Sequence, residues 1–272
     1  MFIDTHAHLH FIQKKGEPKG SFETGFSDIH DVLERAYQAG VTQIINIGVD
    51  PADSRVAIRM AADKTLSGDR TGVSLYATAG LHPHEAAQGD KALDVIHDMA
   101  EDVVAIGECG LDYFKNQASR EEQIHALRGQ LAIALEHNLP LVFHVRDAWD
   151  DFFSILAEYP KAKGVIHSFT GHPEHVEQAF QHPGKLYFGL NGIMTFTKDT
   201  AQLEAARAIA ADRLLLETDC PFLAPLPYRG KRNEPSYVPI IAEFLATLRG
   251  VSIDDLASQT RQNALDLFGL DE

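Results

Sequence analysis

His6-Ala7-His8 closes an apolar N-terminal run, Phe2-Ile3 followed by Asp4-Thr5. Side chains alternate across a strand, so the two imidazoles would stand side by side on one face, which is half of a metal site. Two ordinary surface histidines near a chain terminus look the same, so the metal reading depends on what else reaches that face. Glu108, His144, His167 and Asp219 each stand at or just beyond the end of an apolar stretch, where a hydrophobic residue would otherwise finish a strand. Burying four imidazoles and two carboxylates together is costly without a cation. A glutamate placed between two ions, as in two-metal hydrolytic sites, would let this set hold two divalent ions. Imidazoles favour Zn²⁺, Mn²⁺ or Co²⁺, whereas Mg²⁺ prefers oxygen and retains waters, so Zn, Mn, Co or Mg are the expected choices.

The elements that must position these residues alternate in type. After the N-terminal strand and a glycine-containing loop over 9–26, apolar or β-branched runs at 41–48, 75–80, 103–107, 139–144, 164–167, 185–189 and 213–217 alternate with helical patterns. Proline opens two of the helices, at Pro51 and Pro173, and glycine ends the first, at Gly40. A proline-rich loop at 220–235 leads into two or three covering helices over 236–268. Eight strands alternating with helices in 272 residues predict an α/β protein, a (β/α)8 TIM barrel forming a single domain over 1–272; a doubly wound open sheet is the alternative. In a barrel the C-terminal strand ends share one mouth, and His6, His8, Glu108, His144, His167 and Asp219 would all lie there.

The formal charge of −15 argues against a broad basic face for nucleic acid, so a phosphate substrate would have to be held locally. Arg229, Lys231 and Arg232 place three cations within four positions after the last strand, either as a solvated basic loop or as a phosphate clamp. His82 and His84 follow the third strand at the same mouth, as substrate-phosphate contacts, as supports behind the ligands or as turn residues. Glu217, two positions before Asp219, would share its face and point deeper into the barrel, as support for a ligand or as a hydrogen-bonded core carboxylate. Cys109 and Cys220 each follow a candidate ligand and so face away from it, which argues against ligation or a disulfide. Two cysteines are too few for a disulfide-built fold, and neither a leader-like N-terminus nor an apolar run of 18 residues is present, so the expectation is a cytoplasmic protein without a membrane span.

Seven motifs, in order along the chain, resemble the TatD-type metal-dependent deoxyribonucleases. They are Asp4-Thr5-His6-Ala7-His8-Leu9, Gly80-Leu81-His82-Pro83-His84, Gly107-Glu108-Cys109-Gly110-Leu111-Asp112-Tyr113, His144-Val145-Arg146-Asp147-Ala148, His167-Ser168-Phe169-Thr170-Gly171, Glu217-Thr218-Asp219-Cys220-Pro221-Phe222-Leu223-Ala224-Pro225 and Arg229-Gly230-Lys231-Arg232-Asn233-Glu234-Pro235. The resemblance implies an amidohydrolase-like TIM barrel with one metal near His6, His8, Glu108 and Asp219 and a second near Glu108, His144 and His167. Val145 and Asn191 depart from the small residues that family more often carries, which bears on pocket shape.

The expected function is divalent-metal-dependent phosphodiester hydrolysis, most readily of DNA bound by an end, with Glu108 and Asp219 as catalytic residues: Glu108 bridging the ions, Asp219 orienting the attacking water or taking its proton. The same chemistry would serve an ester or amide hydrolase such as an aminoacyl-tRNA deacylase. A metal-binding interaction protein with a degenerate site is the non-enzymatic alternative. Glu108 where related barrels need a carboxylated lysine counts against dihydroorotase-like chemistry.

Overall fold

The computed structural model describes residues 1–12, 27–68, 71–115 and 117–271, so most of the 9–26 loop lies outside the described residues. Strands β1 (Phe2–Ala7), β2 (Val41–Asn46), β3 (Ser74–Ala79), β4 (Ala105–Asp112), β5 (Leu141–Arg146), β6 (Gly164–Ile166), β7 (Leu186–Leu190) and β8 (Leu214–Leu216) pair in parallel in chain order. The ends of that sheet meet: the His8 N–H donates to the Cys220 carbonyl and the Asp219 N–H to the His6 carbonyl, both at 2.8 Å, and Ala7 bridges Cys220 in parallel. The result is the closed eight-stranded barrel expected from the alternation.

Helices α1 (Ser27–Gln38), α2 (Pro51–Ala62), α3 (Asp90–Asp98), α4 (Arg120–Glu136), α5 (Trp149–Leu156), α6 (Pro173–Gln181) and α7 (Thr200–Ala208) fill the crossovers, and α8 (Val238–Arg249) and α9 (Ile253–Phe268) follow β8. Their starts have local causes. The Asp50 carboxylate accepts from the Asp53 N–H ahead of Pro51, and Ser119 and Glu122 form a reciprocal capping box for α4. One apolar cluster lies between the strands and the outer helices. A second gathers Ile3, Ile45, Ala105, Val142, Val165, Tyr187 and Leu215 from seven different strands and packs on Leu265 and Phe268 of α9. That cluster fills the barrel, so α9 plugs the end away from the mouth. Among the described residues no single helix is long and apolar enough to cross a membrane.

Two strands run past their expected ends. The expected runs stop at Gly107 and His144, but the ladder continues through the pairs Gly110 with His144, Leu111 with Val145 and Asp112 with Arg146. Glu108 and His144 therefore sit within strands, Glu108 at the register shift between Ile106 and Cys109 and His144 paired with Gly110. The reason is local: a Cβ on Gly110 would come within 1.9 Å of the His144 carbonyl oxygen, so only glycine permits this close approach of β4 to β5.

Candidate metal centre

The six expected ligands converge at the mouth, and Glu108 is their hinge. Its two carboxylate oxygens divide between two pairs of histidines. Oε1 lies 2.8 Å from His144 Nδ1 and 2.9 Å from His167 Nε2, while Oε2 lies 3.4 Å from His6 Nε2 and 3.8 Å from His8 Nε2. Asp219 Oδ1 completes the second group, 3.7 Å from His6 Nε2 and 3.4 Å from His8 Nε2. The nitrogens of His6 and His8 are 3.2 Å apart. Donors about 2.0–2.2 Å from one ion stand roughly 3 Å from each other, so these separations suit a shared cation on each side of Glu108.

Ring orientation follows from the outer partners. His8 Nδ1 faces the Ile47 carbonyl at 3.2 Å; a carbonyl only accepts, so Nδ1 carries the proton and Nε2 turns a lone pair inward. His144 Nε2 faces Asp112 Oδ2 at 3.2 Å, leaving Nδ1 inward in a carboxylate–histidine arrangement that strengthens a ligand. His82 differs. The His84 N–H donates to its Nδ1, so its Nε2 carries the proton, 3.5 Å from Glu108 Oε1, and acts as a donor toward the carboxylate or a substrate oxygen. His84 reaches Asp112 Oδ2 at 2.9 Å.

Burial and charge set the protonation. Burial alone would raise the Glu108 carboxyl, but His167 and His82 and the hydrogen bonds from His144 and His167 outweigh it and hold it well below the usual range. Burial would lower His167, yet Glu108 and Glu217 push it well above the ordinary histidine value. Burial likewise opposes, and Asp112 and Glu108 overcome, a rise at His144. At His82 burial prevails and lowers it to about 4, keeping the ring neutral. His8 rises as well, where Asp219 overcomes burial, whereas burial and the neighbouring His167 lower His6, so the histidines around the two carboxylates are protonated in part or share a cation.

Glu217 is fully buried and accepts from the Ser168 N–H at 2.6 Å and from Asn191 Nδ2 at 3.3 Å, with His167 Nδ1 3.5 Å away. Its Oε2 occupies the space a Cβ at Gly189 would fill, at 2.0 Å. Asn191, the departure after β7, thus holds the carboxylate behind His167. Cys109 and Cys220 are both free and buried.

Asp4, Asp112 and Arg146 enter the sequence motifs without a role of their own, and Lys115 enters none. Asp4 accepts from the Thr218 N–H at 2.9 Å and the Thr218 hydroxyl at 2.6 Å, tying β1 to the segment that carries Asp219. Asp112 is four residues from Glu108 on one strand, an even spacing that puts both on one face and was the available signal. Asp4→Ala strands the two Thr218 donors in a buried place, so it should lower unfolding free energy by about 1–3 kcal/mol in urea titration; unchanged stability would show that the seam is held by other contacts.

A cavity of about 590 Å³ opens over these residues, with His8, Glu108, His144, His167 and Asp219 in its lining. Its lining also includes Lys115 and Arg146. Arg229, Lys231 and Arg232 do not line it. All three are exposed; the Arg229 guanidinium lies 4.2 Å from the Phe196 ring centroid, Lys231 Nζ 5.5 Å from that of Tyr228, and Arg232 is 3.5 Å from Glu234.

Residues 3–269 match the model of the TatD related DNase family. The chain is 38% identical over 273 residues to the uncharacterized metal-dependent hydrolase YabD of Bacillus subtilis, covering 98% of this chain and 99% of that one. It is 37% identical over 253 residues to the 3'-5' ssDNA/RNA exonuclease TatD of Erwinia amylovora, covering 89% and 94%. The crystal structure of the TatD homolog YJJV from Escherichia coli superposes with a TM-score of 0.85 at 28% identity, over 99% of this chain and 98% of the other. By whole-length sequence match and by fold, this chain belongs to the TatD-related DNase family.

Proposed function

We propose that this protein is a metal-dependent nuclease that shortens single-stranded DNA or RNA from an end, with residues 1–272 acting as one catalytic domain. The observation that carries the reading is the division of Glu108 between two histidine pairs, with Asp219 closing one of them. In this reading His6, His8, Glu108 and Asp219 hold one divalent ion and Glu108, His144 and His167 a second. Bound there, the ions would supply an acidified water and neutralise phosphoryl charge.

The chain's own groups do the rest. Asp219, at the mouth and only slightly exposed, orients the water and takes its proton. His82, neutral with its Nε2–H directed inward, donates to a phosphoryl oxygen. Lys115 and Arg146 line the cavity, and among the described residues neither is paired with a carboxylate; Arg146 stacks 3.9 Å over the Phe114 ring. Two cations lining the cavity of a chain of charge −15 favour a phosphodiester over a neutral ester. The small cavity and acidic surface suit a strand end better than a long duplex, and buried thiols suit a cytoplasmic setting. The relatives named as 3'-5' ssDNA/RNA exonucleases extend the expected substrate from DNA to RNA and point to the 3' end.

The test is an assay on end-labelled single-stranded DNA, duplex DNA, RNA and an aminoacyl ester with Mg²⁺, Mn²⁺ or Zn²⁺. Stepwise loss from the 3' end of the single strands is expected. Replacing Lys115 and Arg146 with glutamine should weaken oligonucleotide binding and flatten its salt dependence, by a slope change of up to about 0.7 per lost contact. Turnover of the aminoacyl ester with no cleavage of any oligonucleotide would overturn the nuclease reading.

A further inference from the structure

Phe11 and Phe222 are large apolar side chains left exposed, at 38% and 51%, and both line the cavity. Isolated exposed phenylalanines are ordinary; two that meet at the rim of a site otherwise rich in histidine and charge are less so. Each hangs from a tight turn directly after a candidate ligand. The Phe11 N–H donates to the His8 carbonyl at 3.0 Å, and the Phe222 N–H to the Asp219 carbonyl at 2.9 Å. Their ring centroids are 6.3 Å apart at an interplanar angle of 69°, and the Phe11 ring lies parallel to His8 at 5.1 Å. The Phe222 turn is braced from below, since buried Asn233 donates through Nδ2 to the carbonyls of Thr218 and Phe222. These rings are therefore held in place while remaining open to the cavity.

Topology puts the aromatic pair opposite the cations. In a barrel closed in chain order, β1 and β8 lie across the mouth from β4 and β5. Phe11 follows β1 and Phe222 follows β8, whereas Lys115 follows β4 and Arg146 ends β5. A nucleotide spanning the mouth would meet an apolar π surface at one rim and positive charge at the other, with the candidate metal ligands between.

We infer that Phe11 and Phe222 form a stacking subsite for an unpaired nucleobase next to the scissile phosphate, with the phosphate side of that nucleotide turned toward Lys115 and Arg146. This deepens the nuclease reading and rests on it. Stacking of this kind accepts any base, because every base has a π face, but it requires a base that has left its duplex partner. The subsite would thus select single-stranded ends without selecting sequence.

The experiment compares a single-stranded DNA oligonucleotide carrying a normal 3'-terminal nucleotide with one whose terminal residue is abasic, using metal-loaded enzyme. Wild type should prefer the normal substrate in kcat/KM by about tenfold or more, the worth of one stacked base. In the Phe11→Ala, Phe222→Ala double variant the two substrates should converge to within about twofold. The Phe11→Leu, Phe222→Leu variant retains apolar surface and should converge as well, while Phe11→Trp and Phe222→Trp should keep the preference. An equal preference for the normal end in wild type and in the alanine and leucine variants would overturn the subsite. Failure of wild type to cut either oligonucleotide, while it hydrolyses the aminoacyl ester, would instead overturn the nuclease reading beneath it.

Discussion

Glu108→Ala should reduce metal-supported phosphodiester turnover by about 10³-fold or more while leaving the barrel folded, a larger effect than any substitution at the cavity rim. The magnitude follows from how much one carboxylate does. It is the group whose two oxygens face both histidine pairs, at 2.8 and 2.9 Å on one side and 3.4 Å on the other. Removing a single well-placed electrostatic contact typically costs about 10²–10³ in turnover, and this change disturbs both proposed ion sites at once. Glu108→Gln probes charge more gently, since it keeps the shape but offers one carbonyl lone-pair face and an N–H₂ that repels a cation; it should fall in the same direction. Circular dichroism and urea titration establish folding. A folded Glu108→Ala protein that keeps more than about a tenth of wild-type turnover with metal present would remove the bridging role.

The barrel was legible because its strands are buried on both faces and read as apolar runs, broken at the mouth by polar residues with a chemical reason to be there. The candidate ligands were legible for the same reason: His144 and Glu108 interrupt stretches that would otherwise stay hydrophobic. Strand ends were less so. The expected runs stop at Gly107 and His144, but hydrogen bonding carries β4 and β5 on to Asp112 and Arg146. Residues that act through a partner were hidden, because the meaning of Asp4 depends on Thr218 and that of Asp112 on His144 and His84. The cations near the mouth differ in a related way. Arg229, Lys231 and Arg232 are conspicuous as neighbours in the chain, whereas Lys115 and Arg146 come together only because β4 and β5 are adjacent strands. Phe11 and Phe222 were indistinguishable by type from core residues until their exposure was known.

Ion counting separates the two halves of the centre. Wild-type protein loaded with excess Zn²⁺ or Mn²⁺ and freed of unbound metal should carry two ions per chain, and the His6→Ala, His8→Ala and His144→Ala, His167→Ala double variants about one each. The division follows from geometry: His6 and His8 share Asp219 and Glu108 Oε2, while His144 and His167 share Glu108 Oε1. Each ion should also stabilise the fold, because its ligands come from strands far apart in sequence and an ion that binds only the folded chain shifts unfolding by mass action. At a free concentration 100 times the dissociation constant the gain is about 2.7 kcal/mol for one site. Melting temperature should therefore fall when a chelator is added to the wild-type protein, fall less for either double variant, and recover when metal is returned. Elemental analysis showing a single ion in saturated wild-type protein would refute the two-ion centre. Loss of both ions in both double variants would show one cooperative site in place of two divided by Glu108.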